Sequence, residues 1–259
     1  MPNRITRHRL TRTGWCVFFS DVHIGAEEHA EKEFDLALQW AVEHEATVLL
    51  NGDIIENAIA SNEKGAGEKL LGQSMHPTEQ YIEAREKFRT LAKKGRIAGV
   101  TRGNHEARSR RAAMLDLSQI LALDLGVPYL GIGGMVNLVT RNESHSYTIA
   151  LHHGRSGAKN IWSELDKLSG LYPEACLVAA GHNHALASRR IAHIASAEDS
   201  EALAERWQVR TGTYLKYSDY VREMVLAPGR IGSPVALFSG GKHRSVHVDC
   251  ERLSWPGLP

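Results

Sequence analysis

The sequence predicts an α/β fold: two mixed sheets with helices on the outside. Three observations carry that prediction. Short unbroken apolar runs, WCVFFS at 15–20 and TVLLN at 47–51 among them, have the length and composition of strands buried on both faces. Between those runs stand stretches with apolar residues three and four apart, so strands and helices alternate. Toward the C-terminus the spacing shortens to the alternation of hairpins.

In chain order, the strand at 15–20 is followed by an amphipathic helix at 29–45, with Phe34, Leu38, Ala41 and Val42 on one stripe. The strand at 47–51 follows. Residues 58–76 are polar and contain glycine; they read as a long surface loop of the kind that shapes substrate access. Pro77 opens a second helix whose apolar side is Tyr81, Ala84, Phe88 and Leu91, and Gly95 closes it. RIAGVT at 96–101 is a third strand, and 112–125 a third helix stopped by Gly126. MVNLVT and SYTIALHH flank the polar turn RNESH as a hairpin. A helix at 158–168 and a strand at 176–180 precede a strand-rich remainder: ALASRRIAHIA, WQVRTGTYL, PVALFS and HRSVHVDC. With no repeat, low-complexity tract or linker, residues 1–259 read as one domain, with the arginine-rich residues 1–13 as a basic flexible tail.

Composition narrows the partners. With 31 basic and 30 acidic residues the net charge is +1, so no global field steers polyanions and any nucleic-acid affinity must come from a local patch. The cysteines, Cys16, Cys176 and Cys250, are odd in number and far apart, which suits a reducing cytoplasm better than a disulfide framework or a cysteine zinc site. The apolar run after the basic start is too short for a secretory signal, and no run approaches a membrane span. Histidine, with 14 copies, is the outlier.

The histidines gather where apolar runs end. SDVHIG offers Asp21 and His23; NGDIIEN offers Asp53; RGNHEAR offers Asn104, His105 and Glu106; LHHG offers His152 and His153; GHNH offers His182 and His184. In α/β sheets, ligands bind beyond the carboxyl ends of strands. Residues two apart at a strand end share a face, so Asp21 with His23, and His182 with His184, can reach one ion. Carboxylate, imidazole and amide oxygen together suit manganese, zinc or iron rather than calcium or magnesium. The donors are too many for one tetrahedral ion and fit two divalent ions bridged by Asp53. Each fragment alone reads as a turn, a surface histidine or a core pair; five in order, each closing an apolar run, do not. His29, His44, His76, His145, His193, His243 and His247 lie outside this pattern and read as surface or core residues.

The series D-x-H, G-D, G-N-H-E, H-G and G-H-x-H resembles that of the calcineurin-like metallophosphoesterases, over residues 20–184. The resemblance implies a four-layer αββα sandwich with a binuclear site at the strand ends. It implies Asp21, His23, Asp53 and His184 on one ion, and Asp53 as bridge with Asn104, His153 and His182 on the other. It also implies His105 as the catalytic histidine, with Glu106 in the place of its acidic partner, and hydrolysis of a phosphoester by a hydroxide held between the ions. His153 is the chosen ligand of its pair because the family's ligand directly precedes the glycine; His152 then lines the pocket. Purple acid phosphatases carry a tyrosine where this chain has Glu56, protein Ser/Thr phosphatases an Asp-Arg-Gly that GDIIENA lacks, and UDP-diacylglucosamine hydrolases no counterpart of His105. What remains resembles the bacterial and phage-borne members of the family.

Arg102, Arg108, Arg110 and Arg111 crowd the third motif. They suggest a phosphate-backbone track, with Arg108 the residue nearest substrate, and hence a phosphodiesterase acting on nucleic acid or nucleotides. A solvated helix start, or a single arginine gripping the phosphate of a small monoester, explains the same residues. A non-catalytic interaction module is a third reading, against which the full ligand set stands.

Overall fold

The computed structural model describes residues 5–59, 73–155, 160–197, 200–217 and 230–256. The early strands are β1 (Ile5–Arg9), β2 (Trp15–Phe19), β3 (Thr47–Asn51), β4 (Ile97–Thr101), β5 (Tyr129–Gly131), β6 (Gly133–Val139) and β7 (Ser146–His152). They are followed by β8 (Leu177–Ala180), β9 (Leu186–Ala197), β10 (Ser200–Thr211), β11 (Ile231–Phe238) and β12 (Val246–Trp255). The helices are α1 (Glu31–Glu43), α2 (Pro77–Lys93), α3 (Glu106–Ala113), α4 (Leu117–Leu125) and α5 (Ser163–Leu171). Among the described residues, none of these helices is long and apolar enough to cross a membrane.

The strands form two six-stranded sheets, ordered β12-β11-β2-β3-β4-β5 and β1-β6-β7-β8-β10-β9. Both are mixed: β2, β3, β4 and β5 run parallel, with β11 antiparallel between β2 and β12, and β7, β8 and β10 run parallel while β6 and β9 oppose.

Alternation along each strand assigns its side chains to layers. In β2, Val17 and Phe19 pack outward with α1 and α2, whereas Cys16 and Phe18 face the second sheet. In β8, Leu177 and Ala179 join that inter-sheet core, whereas Val178 and Ala180 pack against Leu165 and Leu168 of α5. Three apolar cores therefore separate four layers: α1, α2 and α4, then one sheet, then the other, then α5. This is the αββα sandwich expected. Strands buried on both faces read as unbroken apolar runs, which is why β2, β3, β4 and β8 are visible in the sequence.

Three expectations are corrected. Residues 5–9 are not a tail: β1 lies parallel to β6 with Ile5 opposite Met135 and Arg9 opposite Val139, and Leu10 is buried between the sheets. Its arginines point to solvent and to Glu143, so charge conceals a strand held by main-chain pairing. The helix at 112–125 is two helices. α3 starts earlier, at Glu106, and ends at Met114 in the left-handed region (φ +57°); the Asp116 side chain then accepts from the Gln119 N–H to cap α4. The helix at 158–168 begins at Ser163 and runs to Leu171. Of the loop at 58–76, residues 60–72 lie outside the described residues.

Candidate metal centre

The carboxyl ends of β2, β3, β4, β7 and β8 meet at one edge of the sandwich, and every candidate ligand lies just beyond one of them. Main-chain bonds zip the first two loops together: Asp21 N–H donates to the Gly52 carbonyl (3.0 Å), and Val22 and His23 N–H to that of Asp53 (2.8 and 3.1 Å). Asn51 ties the sheets. Its side chain donates to the His152 carbonyl (3.2 Å) and accepts from Thr101 (3.0 Å), while its own carbonyl accepts from Ser20 Oγ (3.0 Å) and His153 Nδ1 (2.8 Å).

Three carboxylate–imidazole groups result among the described residues, one of them His23, Glu56 and His105; the other two contain the residues expected as ligands. Asp21, His23 and His184 form one, and Asp53, His153 and His182 the other; within each, the ligand atoms lie within 4.8 Å of one another. Asn104 joins the second group: its Oδ1 is 2.7 Å from His182 Nδ1 and 3.0 Å from His153 Nε2. His153 Nε2 is also 3.1 Å from Asp53 Oδ2. The seven residues named from the sequence as ligands are thus brought together.

Their backbone differs from expectation. Asp21 (φ +51°), His23 (+53°), Asp53 (+50°), His182 (+70°) and His184 (+57°) all occupy the left-handed region. Strand alternation is therefore not what puts Asp21 beside His23, because both lie in turns after β2 has ended. Aspartate and histidine tolerate this region better than most residues, and such strain concentrates at functional sites. Glycines give the turns room. A Cβ on Gly103 would run into the Asp53 carboxylate, and one on Gly181 into Ser20 Oγ.

The donor set fits divalent cations. His153 gives Nδ1–H to a carbonyl, which leaves Nε2 facing the carboxylate. His23 gives Nδ1–H to Glu56 Oε2 at 2.8 Å, and its Nε2 is buried without a partner. A buried acceptor left unpaired is costly unless a ligand completes it.

Electrostatics agree. Burial opposes charge on Asp53, yet His153, His105 and His23 hold its carboxyl well below the usual range. Burial likewise opposes charge on His153, but Asp53 and Asp21 push it up to about 10. The protein keeps a positive charge between its carboxylates, where a cation would sit.

His105 stands beside this cluster, its ring 4.4 Å from that of His23 and its Nε2 3.9 Å from Asp53 Oδ2. Its acidic partner is not Glu106. That carboxylate is buried and accepts the N–H groups of Asp53 (3.1 Å), Ile54 (2.7 Å), Ile55 (3.3 Å) and Gly103 (3.0 Å), so it shapes the loop carrying Asp53. Glu56 takes the orienting place instead: its carbonyl lies 2.8 Å and its Oε2 3.2 Å from His105 Nδ1. Glu56 thereby holds His23 and His105 together, and the two imidazoles keep its carboxyl far below the usual range against the effect of burial. The sequence marks Glu56 only by its spacing of three after Asp53.

Arg108 donates to Glu56 O (2.8 Å) and Oε1 (3.2 Å), and its Nη2 lies 3.0 Å from His105 Nε2. His152 accepts from the Gly154 N–H at 2.9 Å, and burial lowers its pKa. The arginine track is shorter than expected, since Arg102 is committed to Asp116 (2.7 Å) and Arg110 approaches the same carboxylate (3.9 Å).

No family model and no characterised relative matches this chain in sequence. Among solved structures it is similar to Vps29 of Entamoeba histolytica, complexed with zinc (TM-score 0.45, 12% identity, 91% of this chain and 98% of that one). It is also similar to the phosphoesterase YfcE of E. coli (TM-score 0.41, 12% identity, 91% and 98%). A third is a predicted phosphoesterase of Streptococcus pneumoniae (TM-score 0.38, 14% identity, 95% and 94%). At these scores the likeness is one of layout, and the reading of the site rests on its own side chains.

Proposed function

We propose that this chain is a phosphoester hydrolase using two divalent cations, one held by Asp21, His23, Asp53 and His184 and the other by Asp53, Asn104, His153 and His182. The convergence of two carboxylate–imidazole groups on one edge of the sandwich carries the reading. Manganese is the cation we would load first, with zinc or iron as alternatives. Bound there, the cations supply Lewis acidity toward phosphoryl oxygens and an activated water.

The protein's own groups do the rest. His105 is the proton donor to the leaving oxygen, through Nε2 once the Arg108 guanidinium turns from that nitrogen to the phosphate, while the Glu56 carbonyl and carboxylate keep Nδ1–H in place. Burial works against its protonated form, but Asp53 and Glu56 outweigh it and raise its pKa, as a general acid requires. Arg108, its guanidinium beside His105 Nε2, grips a phosphate oxygen on the same side. His152, half-buried and fixed by the Gly154 N–H, lines the pocket.

The substrate we favour is a phosphodiester of nucleic acid or a nucleotide. A small phosphomonoester is the second reading, favoured by the commitment of Arg102 and Arg110 to Asp116. A reducing, cytoplasmic setting suits the free thiols Cys16, Cys176 and Cys250.

The test is turnover of an end-labelled oligonucleotide, an aryl phosphodiester and an aryl monoester by manganese-loaded protein. Asp53→Asn should bring all turnover to background; turnover surviving in that variant, with metal content verified, rejects the assignment. A preference for the monoester selects the second reading.

A further inference from the structure

Arg210, on β10, is 1% exposed and among the largest fully buried side chains. A guanidinium at that depth is expensive unless every donor finds a partner, and a well-packed apolar residue would serve stability as well or better. What it touches explains its presence. Nε donates to the Ile161 carbonyl at 2.6 Å, and Nη1 to Glu164 Oε2 at 3.2 Å and to the Gly181 carbonyl at 3.1 Å. Glu164, the first turn of α5, uses its other oxygen to accept the Arg155 N–H at 2.9 Å. One ion pair thus grips the residue before His182 and the residue two after His153. The two turns are in contact: a Cβ on Gly154 would stand 3.1 Å from the Gly181 carbonyl and 3.2 Å from His182 Cβ.

We infer that Arg210 and Glu164 are positioning residues for the group Asp53–Asn104–His153–His182, fixing the distance between its two imidazole-bearing turns. The inference rests on the metal reading above and adds a consequence to it: the brace bears most on this cation, because both of its imidazoles ride on the braced turns, whereas the other group has only His184 on one of them. Asp21 is held by Ser20 Oγ (2.5 Å) and, through its carbonyl, by Thr213 Oγ1 (2.9 Å); His23 is held by Glu56. None of these bonds passes through Arg210. His184 rides on the turn gripped at Gly181, and that turn is tied to Asp21 as well, whose two oxygens accept the His182 N–H at 3.1 Å.

Manganese binding to the full chain, by calorimetry and by metal content after desalting, tests this. Wild type should take up two ions. Arg210→Met and Glu164→Gln should each retain one, with affinity for the other reduced at least about tenfold, as for other groups that orient metal ligands. Arg210→Lys, which keeps the charge but not the three-way grip, should fall between. Should Arg210→Met fail to fold, judged by the melting of the metal-free protein, Glu164→Gln decides, since that side chain sits nearer solvent at 15% exposure. Two ions at unchanged affinity in Glu164→Gln overturn the brace, and so does equal weakening of both. A wild type that binds no manganese overturns the metal reading itself.

Discussion

The two halves of the metal centre are built by different means. Around Asp21 and His23, support comes mainly from the adjoining loops: main-chain bonds zip the loops after β2 and β3, and Glu56, three residues beyond Asp53, holds both His23 and His105. Around His153 and His182, support comes from other layers of the sandwich: Asn51 at the end of β3, Glu164 on α5 and Arg210 on β10. The first half depends on local loop geometry, and the second on how the two sheets and α5 pack. They meet at Asp53, whose Oδ2 reaches His153 while its Oδ1 accepts the His105 N–H at 2.8 Å.

Predictions can separate the halves. The largest effect after loss of Asp53 is expected from His105→Ala, which should lower kcat by about 10²–10⁴-fold, the range for a lost general acid. Both cations should stay bound, because His105 is not among the assigned ligands; a variant that also sheds metal would merge catalysis with binding and break the comparison.

Glu56→Gln comes next. It keeps the carbonyl that meets His105 Nδ1 but neutralises the carboxylate shared with His23. Affinity for the cation of the first half should fall by about 10–100-fold, while that of the second half holds, the mirror image of Glu164→Gln. Identical binding profiles for these two variants would show that the halves are not separable.

The smallest effect is a proton count. His153, pushed up to about 10 between Asp53 and Asp21, carries a proton at pH 8 that an incoming cation must displace. Calorimetry in buffers of different ionisation enthalpy should find about one proton released from this group, with apparent affinity for its cation rising about tenfold per pH unit until about pH 10. The sign reverses for the metal-free fold. A raised pKa contributes stability fully present below the ordinary value of 6.5 and lost as pH rises through about 10. Zero proton release at pH 8 would remove His153 from the ligand set.

What the sequence makes legible follows the same division. Strand ends are readable because a doubly buried strand is an unbroken apolar run, and a carboxylate or imidazole directly after it has few structural reasons to be there. That ground yields ten candidates at the ends of apolar runs, and the family resemblance selects seven ligands among them, His153 over His152 included. Local conformation was harder to foresee: nothing in D-x-H distinguishes a strand end from two left-handed turn residues, and Met114 gives no warning that one helix becomes two. Partners across the fold are harder still. The family resemblance implies Glu106 as the mate of His105, yet its side chain turns to main-chain donors of the second loop. Glu56 does that work because the loop after Asp53 curls back beneath His105. Arg210 and Glu164 lie 46 residues apart and carry no motif.

The left-handed backbone at Asp21, His23, Asp53, His182 and His184 also limits how this chain can evolve. A donor set usually drifts by exchange among aspartate, glutamate, histidine and cysteine as metal supply changes. Here the backbone at five positions favours aspartate, asparagine, histidine or glycine, though Glu45, Glu143 and Met114 show that other side chains enter the region at a cost. Two of those four can bind a cation strongly at neutral pH. Thiolate or glutamate would have to overcome the backbone before being tried as a ligand. The turns that present the donors thus act as a spelling rule, keeping the site's preference for borderline cations in place while the rest of the chain diverges.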